Sequence, residues 1–464
     1  MATEPTTPEE PTIPDARSTR REALGRLLGT AGTLAAVAVL ATPPPPRPRT
    51  RRVPVRFWHM WTAEWEAVIR EIADRFNESQ SRYEVIPLSV PTASADSKFL
   101  LAAVGGDPPD MMAQWNLVLA TWAENGVLFP LEELMSAEDR RTLRTDTYSF
   151  VRKVGRFQDK LYAIGIGPNL SVCFYRTDHF RDAGLDPDRF PTTLEELTQA
   201  GETLTRFDRT GRLKRIGFLP TEYPQFAGLF GGGFYDETTG TVSLNTPPNR
   251  RALEYLAEAH RKLGFENIVR FTSGLTGDSG GSVDWPFISG AYSIVVDGQW
   301  RIEQLAKFAP DLPYRTAPLP PPNGGTPNAG WANADMLLIP RDARQPEGAW
   351  EFIRFWSGLT RPETAAEFFL RGGWLPIRPA IAESPIYRDY VRKYPALRTF
   401  LEVLPSPNLQ PPPPVPYQAF LADSISRMQD LVKRGTLTPE RALETLETDI
   451  RQERQRRRKL GYAE

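Results

Sequence analysis

From Val53 onward the chain alternates between two hydrophobic periods. "VPVRFWHMW" (53–61) alternates apolar and polar positions and is rich in β-formers, which predicts a strand. Thr62 then offers an N-cap, and "EWEAVIREIADRFNES" places Trp65, Val68, Ile69, Ile72 and Phe76 on one helical face. "YEVIPLSV" reads as the next strand. A strand–helix–strand order implies parallel strands joined by a crossover helix, and therefore an α/β domain. Trp65 is expected on the buried helix face and Trp58 within a buried strand. Trp61 falls in the strand-to-helix turn at the carboxyl end of the first strand, where open α/β sheets bind ligands.

The same alternation continues. "KFLLAAVGGDPPDMMAQWNLVLATWAENGVLFPLEEL" predicts a helix, a turn at Gly105–Pro109, a short strand and another helix. Gln114, Trp115 and Asn116 sit at that strand's carboxyl end. A glycine-proline break is expected at Gly165–Pro168, before the strand "SVCFYR". "TTLEELTQAGETLTR" and "NRRALEYLAEAHRKLG" are amphipathic helices, with Thr192 or Thr193 and Asn245 to Thr246 near their starts. "QPEGAWEFIRFWSG" puts Trp350, Ile353 and Trp356 on a single face, which reads as core. The chain closes on two helices around "GTLTPE", and its last basic run suits a helix C-terminus facing its own dipole.

Composition narrows the chemistry. A formal net charge of -1 leaves no basic footprint for nucleic acid. The 45 prolines cluster at Pro43–Pro48, Pro318–Pro322 and Pro405–Pro416, which read as rigid connectors. The single cysteine, Cys173, excludes an internal disulfide and lies in an apolar, strand-like setting that suits a core residue. Three scattered histidines provide no metal-ligand pattern, so neither a metal nor a cofactor is expected. The leader "TRREALGRLLGTAGTLAAVAVLA" pairs Arg20 and Arg21 with an apolar stretch from about Leu27 to Ala41, of the length of a signal core and short of a membrane span. It resembles a twin-arginine export signal, with an uncleaved short anchor as the alternative, and no cysteine follows it to carry a lipid. "GDSGG" (277–281) matches the surroundings of the nucleophilic serine in chymotrypsin-like proteases. A triad is defined by partners and geometry, and the three histidines here lack such surroundings, so the segment reads as a flexible loop. "GGGFYDETTG" (231–240) is likewise a loop, with no lysine-serine/threonine to complete a phosphate cradle.

The ordered series of these pieces resembles the extracellular solute-binding proteins of ABC importers, the family that includes maltose- and oligosaccharide-binding proteins. The likeness runs from about Val53 to Arg456. It is carried by the opening strand with its tryptophan-bearing turn, by "GDPPDMMAQWNLVLATWAENGVLFPLEEL", by "LYAIGIGPNLSVCFYRTDHFRDAGLDPDRFPTTLEEL", by "GAYSIVVDGQWRI" and by "TPERALETLETDI". The resemblance implies an α/β, two-lobe periplasmic-binding-protein fold that closes like a flytrap. Residues 1–52 would be export leader and linker, 53–167 plus 328–388 lobe one, and 168–327 plus 389–464 lobe two, with hinge crossings at "GIGPN" and "PLPPPNGGTPN". It implies a non-catalytic, exported, monomeric receptor that hands a mono- or oligosaccharide to the transporter's membrane subunits. A glycerol-phosphate-like or other polar solute is the alternative, kept open by Arg371 and Arg378, and a secreted serine hydrolase using Ser279 of "GDSGG" is the remote one. The ligand-binding residues it implies are Trp61, Gln114, Trp115, Asn116, Asn169, Trp300, Trp331, Trp374 and Tyr417. Among them Trp300, in "GQW", matches the family's sugar-stacking tryptophan, and flat indoles at strand ends favour sugar faces over metals or oxyanions.

Overall fold

A computed structural model describes residues 52–62, 64–275 and 285–462. The leader and the "GDSGG" segment therefore lie outside the described residues.

The opening pattern folds as a parallel unit: β1 (Val53–His59), α1 (Glu64–Ser79) and β2 (Tyr83–Ser89), with β1 and β2 in register from Val53/Tyr83 to His59/Ser89. β3 (Met111–Trp115) lies parallel on the other side of β1. β4 (Ala163–Asn169) and β5 (Ser171–Arg176) follow, separated by Leu170 alone. The expected break at Gly165–Pro168 does not end the strand: β4 continues through it, with the register to the neighbouring strand shifting at Ile166. The reason is topological. β4 is the edge of its sheet, where a proline that cannot donate costs no ladder bond. Helices α2 (Tyr223–Leu229) and α3 (Pro247–Leu263) precede β6 (Ile294–Gly298), α4 (Trp300–Phe308) and β7 (Tyr314–Ala317). The chain then passes through β8 (Gly330–Trp331), β9 (Asn333–Leu338), α5 (Pro346–Trp356) and β10 (Leu409–Gln410), and ends on α6 (Gln418–Lys433) and α7 (Pro439–Lys459).

Two sheets result. The first has the order β2-β1-β3-β9-β4, with β9 antiparallel to both β3 and β4. The second is β6-β5-β7, antiparallel throughout. The chain thus leaves the first sheet after Asn169 and returns to it at Asn333. Two large apolar cores form among the described residues. One is built around Phe57, Ile69, Phe352 and Trp356 and also takes in Val172 and Phe174 from one face of β5, and the other is built around Tyr175, Tyr223, Phe226 and Leu446. Trp350 and Trp356 are buried, as the helical period of α5 predicts, whereas Trp58 and Trp65 are half-buried against the same core. Cys173 is fully buried and its thiol is pushed far up by that burial, so it is inert. Thr193, Thr246 and Thr438 each cap a helix with the side-chain oxygen accepting from the third residue on.

Burial holds all three histidines, His59, His179 and His260, down at about 4. Their ordinary value is 6.5, so between the two values only the unfolded chain takes up the protons, and stability falls as pH drops. Asp335, raised by burial to about 7, acts in the opposite sense, because the folded chain keeps a proton that the unfolded one loses above its normal pKa. Three groups oppose one. Stability to urea is expected to fall by about 1–2 kcal/mol per unit from pH 6.5 to 5 once solvent screening is allowed for. A flat profile over that range would show the histidines to be hydrated.

Candidate functional site

The carboxyl ends of β1, β3 and β4 and the amino end of β9 meet at one end of the first sheet. Register places Asp335 between Trp115 and Gly167, and Asn333 beside Asn169. Asp335 is buried there. Burial drives its carboxyl up, and hydrogen bonds from the Asn169 amide (3.4 Å) and the Trp374 indole oppose that rise. Asn169 Oδ1 in turn accepts from Gln299 Nε2 at 3.1 Å, which ties β4 to the residue preceding α4. Trp374 packs against Trp61 with ring centres 5.4 Å apart, and both rings contact Trp356 at 5.6 Å. Gln114 is buried, donating to Asp96 Oδ1 at 2.6 Å and accepting from the Trp115 amide at 2.9 Å. Asn116 is buried and accepts from the Ala334 amide at 3.3 Å. Trp115 itself stands out, 51% exposed.

Trp300 opens α4 half-buried, with its six-membered ring lying over Gly298: a Cβ on that glycine would come within 2.1 Å of it. Gly298→Ala is therefore expected to displace the indole and cost about 1–3 kcal/mol of stability, as overpacking does. A chemical-denaturation midpoint equal to wild type would show that the ring moves aside freely.

A cavity of about 560 Å³ lies elsewhere, in the size range of small-molecule sites. Lys153, Arg156 and Gln158 line one side, and Gly231 to Glu237 with Trp331 line another. Asn408, Gln410 and prolines 411, 413 and 414 complete the wall. Val154 and Phe157, in the chain segment carrying the first group, belong to the first core, whereas Phe234 and Trp331 pack on the second. The cavity thus sits between the two cores, and the Lys153–Glu237 ion pair (2.7 Å) joins its two sides. Trp331 contacts Phe234 with ring centres 5.5 Å apart, and its buried indole N–H has no hydrogen-bond partner among the described residues. A buried donor left so costs about 1–3 kcal/mol. A smaller cavity of about 170 Å³ adjoins it, sharing Gln158, Tyr235 and Pro414, and is lined by Tyr417.

Of the nine residues expected to bind ligand, Trp331 lines the larger cavity and Tyr417 the smaller, and the other seven line neither. Trp61, Trp374, Asn169 and the 114–116 segment instead converge on the end of the first sheet, with Trp300 beside the Asn169–Gln299 bridge. Arg371 and Arg378, which kept an anionic ligand open, are engaged elsewhere: Arg371 pairs with Glu71 at 2.8 Å, and buried Arg378 with Asp146 and the Gly358 carbonyl. Sequence reasoning missed Lys153, Arg156, Gln158, Phe234, Tyr235, Asn408 and Gln410. The signal was present for some of them. Two aromatic residues follow three glycines in "GGGFY", and a proline wall that spaces polar side chains was read only as a connector.

Comparison with known proteins places this geometry in a class. Residues 62–358 match the model of the bacterial extracellular solute-binding proteins, and the chain belongs to that family. It is 24% identical to the sn-glycerol-3-phosphate-binding periplasmic protein UgpB of Yersinia enterocolitica over 432 residues, covering 84% of this chain and 90% of the relative. The UgpB protein of Salmonella typhimurium is 24% identical over 471 residues, covering 92% and 95%. Among solved structures, CpMnBP1 with mannotriose bound superposes with a TM-score of 0.74 at 22% identity, covering 86% of this chain and 100% of that one. The sugar-binding protein MalE from Xanthomonas citri superposes at 0.72 with 21% identity, covering 89% and 100%. The chain has their two-lobe fold.

Proposed function

We propose that this chain is an extracytoplasmic receptor that binds a carbohydrate between its two lobes and delivers it to the membrane subunits of an ABC importer. The observation that carries this reading is the 560 Å³ cavity between the two cores, which combines the Trp331–Phe234 aromatic pair with Gln158, Asn408 and Gln410. Apolar ring faces beside amide groups match a sugar, whose C–H face packs on an indole while its hydroxyls seek planar acceptors and donors. Family membership and the oligosaccharide named for several structural neighbours support the same assignment.

In this reading lobe one comprises 53–167 plus 328–388 and lobe two 168–327 plus 389–464. The short link at Leu170 and the return through 318–332 then act as the hinge, and ligand touching both lobes shifts an open–closed equilibrium. The receptor works outside the cytoplasm, as a monomer and without catalysis, and the leader is its export signal. Among the described residues no helix is long and apolar enough to cross a membrane. Trp61, Gln114, Trp115, Asn116, Asn169, Trp300 and Trp374 belong in this reading to the lobe-one rim and hinge that ligand meets on closure. A glycerol phosphate is the second reading, favoured by Lys153 and Arg156 in the cavity wall and by the relatives named for that solute.

Thermal melting of the full chain with mono- and oligosaccharides, and with sn-glycerol 3-phosphate, amino acids and polyamines as comparators, tests the assignment. A solute at about a hundred times its Kd should stabilise by roughly 2.7 kcal/mol, several degrees in melting temperature. A shift confined to saccharides is the expected result, and one confined to glycerol phosphate would replace the sugar with the second reading.

A further inference from the structure

Asp335, Asn169 and Gln299 form a chain of hydrogen bonds whose direction depends on a single proton. Asn169 Nδ2 donates to Asp335 Oδ1 at 3.4 Å. Gln299 Nε2 donates to Asn169 Oδ1 at 3.1 Å and to the Pro168 carbonyl at 3.3 Å. The chain crosses from one sheet to the other. Asp335 and Asn169 lie on β9 and β4 of the first, whereas Gln299 follows β6 of the second and immediately precedes Trp300 at the head of α4. Asp335 and Gln299 are buried and Asn169 is half-buried. A Cβ at Gly167 would come within 3.1 Å of both the Asp335 carboxyl and the Trp374 indole, so glycine there lets both lie against β4.

The direction of the chain suits an ionised Asp335, which only accepts, here from the Asn169 amide and the Trp374 indole. A protonated Asp335 carries a hydrogen of its own to place. The indole can only donate, so the acceptor the network offers is the Asn169 oxygen. Asn169 then turns its NH2 group toward Gln299, where two donors would meet. Half a turn of the Gln299 amide relieves that clash by bringing Oε1 to Asn169, and takes Nε2 away from Pro168. Gln299 Oε1 is buried with no hydrogen-bond partner among the described residues, so the turn breaks no bond there. With or without that turn, the start of α4 loses donor bonds to β4.

We propose that this relay is a proton-sensitive switch at the hinge: ionised Asp335 holds the first sheet to the head of α4, protonated Asp335 loosens it, and solute capture is thereby coupled to pH. The inference rests on the lobe closure proposed above. Burial raises the Asp335 carboxyl to about 7, against its two neutral donors, which puts the switch near neutrality. The ionisable groups of the surrounding elements are engaged otherwise. Asp96 accepts from Gln114, Glu303 of α4 from Tyr390, and Arg301 pairs with Asp297 at 2.7 Å. His59, behind Trp61, is held at about 4 and stays neutral near pH 7.

Two readouts on the full, unliganded chain test this from about pH 5.5 to 8.5. The first is the indole N–H resonance of Trp374 in chain carrying 15N-tryptophan, assigned by its loss in Trp374→Phe. The second is energy transfer between dyes at Glu78→Cys on α1 and Glu254→Cys on α3, two exposed positions, with the native Cys173 buried and inert. In the wild type both are expected to shift together with one midpoint near 7. Asp335→Asn, which carries side-chain hydrogens at every pH, should hold the low-pH distance throughout. Gln299→Met removes the far end of the relay and leaves Asp335 in place, so the Trp374 resonance should still titrate while the distance stays constant. That variant decides the matter if Asp335→Asn fails to fold. A Trp374 resonance without an inflection, or a distance that still follows pH in Gln299→Met, overturns the switch. A distance that responds to a solute found by melting and not to pH also overturns it, and leaves lobe closure standing. A response to pH in chain that binds no saccharide supports the switch and removes the sugar.

Discussion

Trp331→Ala is expected to weaken solute binding by about 1–3 kcal/mol, or roughly five- to two-hundredfold in Kd, by analogy with the loss of an aromatic stacking platform. The indole that lines the cavity beside Phe234, ring centres 5.5 Å apart, is removed with its apolar face. The backbone remains held, because β8 pairs in parallel with β10 through Gly330–Leu409 and Trp331–Gln410. Trp331→Phe keeps an aromatic ring of smaller area and is expected to cost about 1 kcal/mol. Titration calorimetry of both variants against the solute found by melting provides the measurement. An alanine variant that binds like wild type would remove this cavity from consideration as the ligand site.

Trp356→Ala is expected to cost about 3–5 kcal/mol of folding stability, the largest effect of any substitution considered. Its side chain is fully buried at the centre of the first core, against Phe57, Phe352, Trp61 and Trp374. The latter two tryptophans share it as a neighbour, so the cavity left behind loosens both. Trp356→Phe should cost under half as much, because it leaves a smaller void and removes an indole N–H that has no hydrogen-bond partner among the described residues. Urea midpoints of the two variants test this, and a loss below about 1 kcal/mol for alanine would mean the core closes over the hole.

The opening strand–helix–strand unit was legible because its signals are local. The alternation of 53–61 and the single face of 64–79 depend on a few neighbouring residues, as do the threonine caps at 193 and 246 further on. The continuity of β4 through Gly165 and Pro168 was not, since a proline in a strand is tolerable only at an edge, and the edge is set by β9 far along the chain. The candidate site shows the same divide. Trp331 could be singled out because a large aromatic beside a chain crossing is unusual. Lys153, Phe234 and Gln410 could not, because their shared environment arises only when three segments spread over some 250 residues pack together. Similarity of sequence order pointed to the residues at the end of the first sheet, which are the ones a strand-end rule also selects. Glycine- and proline-rich stretches obscured the cavity wall, since composition reports how such backbone bends and says nothing of what it faces.

The insertion of β9 between β3 and β4 also constrains how this chain is made. β3 and β4 are not neighbours until β9 separates and bonds to both, and the Ala334–Asn116 contact spans 218 positions. A ribosome must therefore finish more than two-thirds of the polypeptide before the first sheet can close, and until then two strand edges stay open to wrong partners. Nascent chains shorter than about 340 residues should be protease-sensitive throughout, first sheet included. The last strand to arrive is thus the one that closes both open edges and ends the interval in which a wrong strand can pair there.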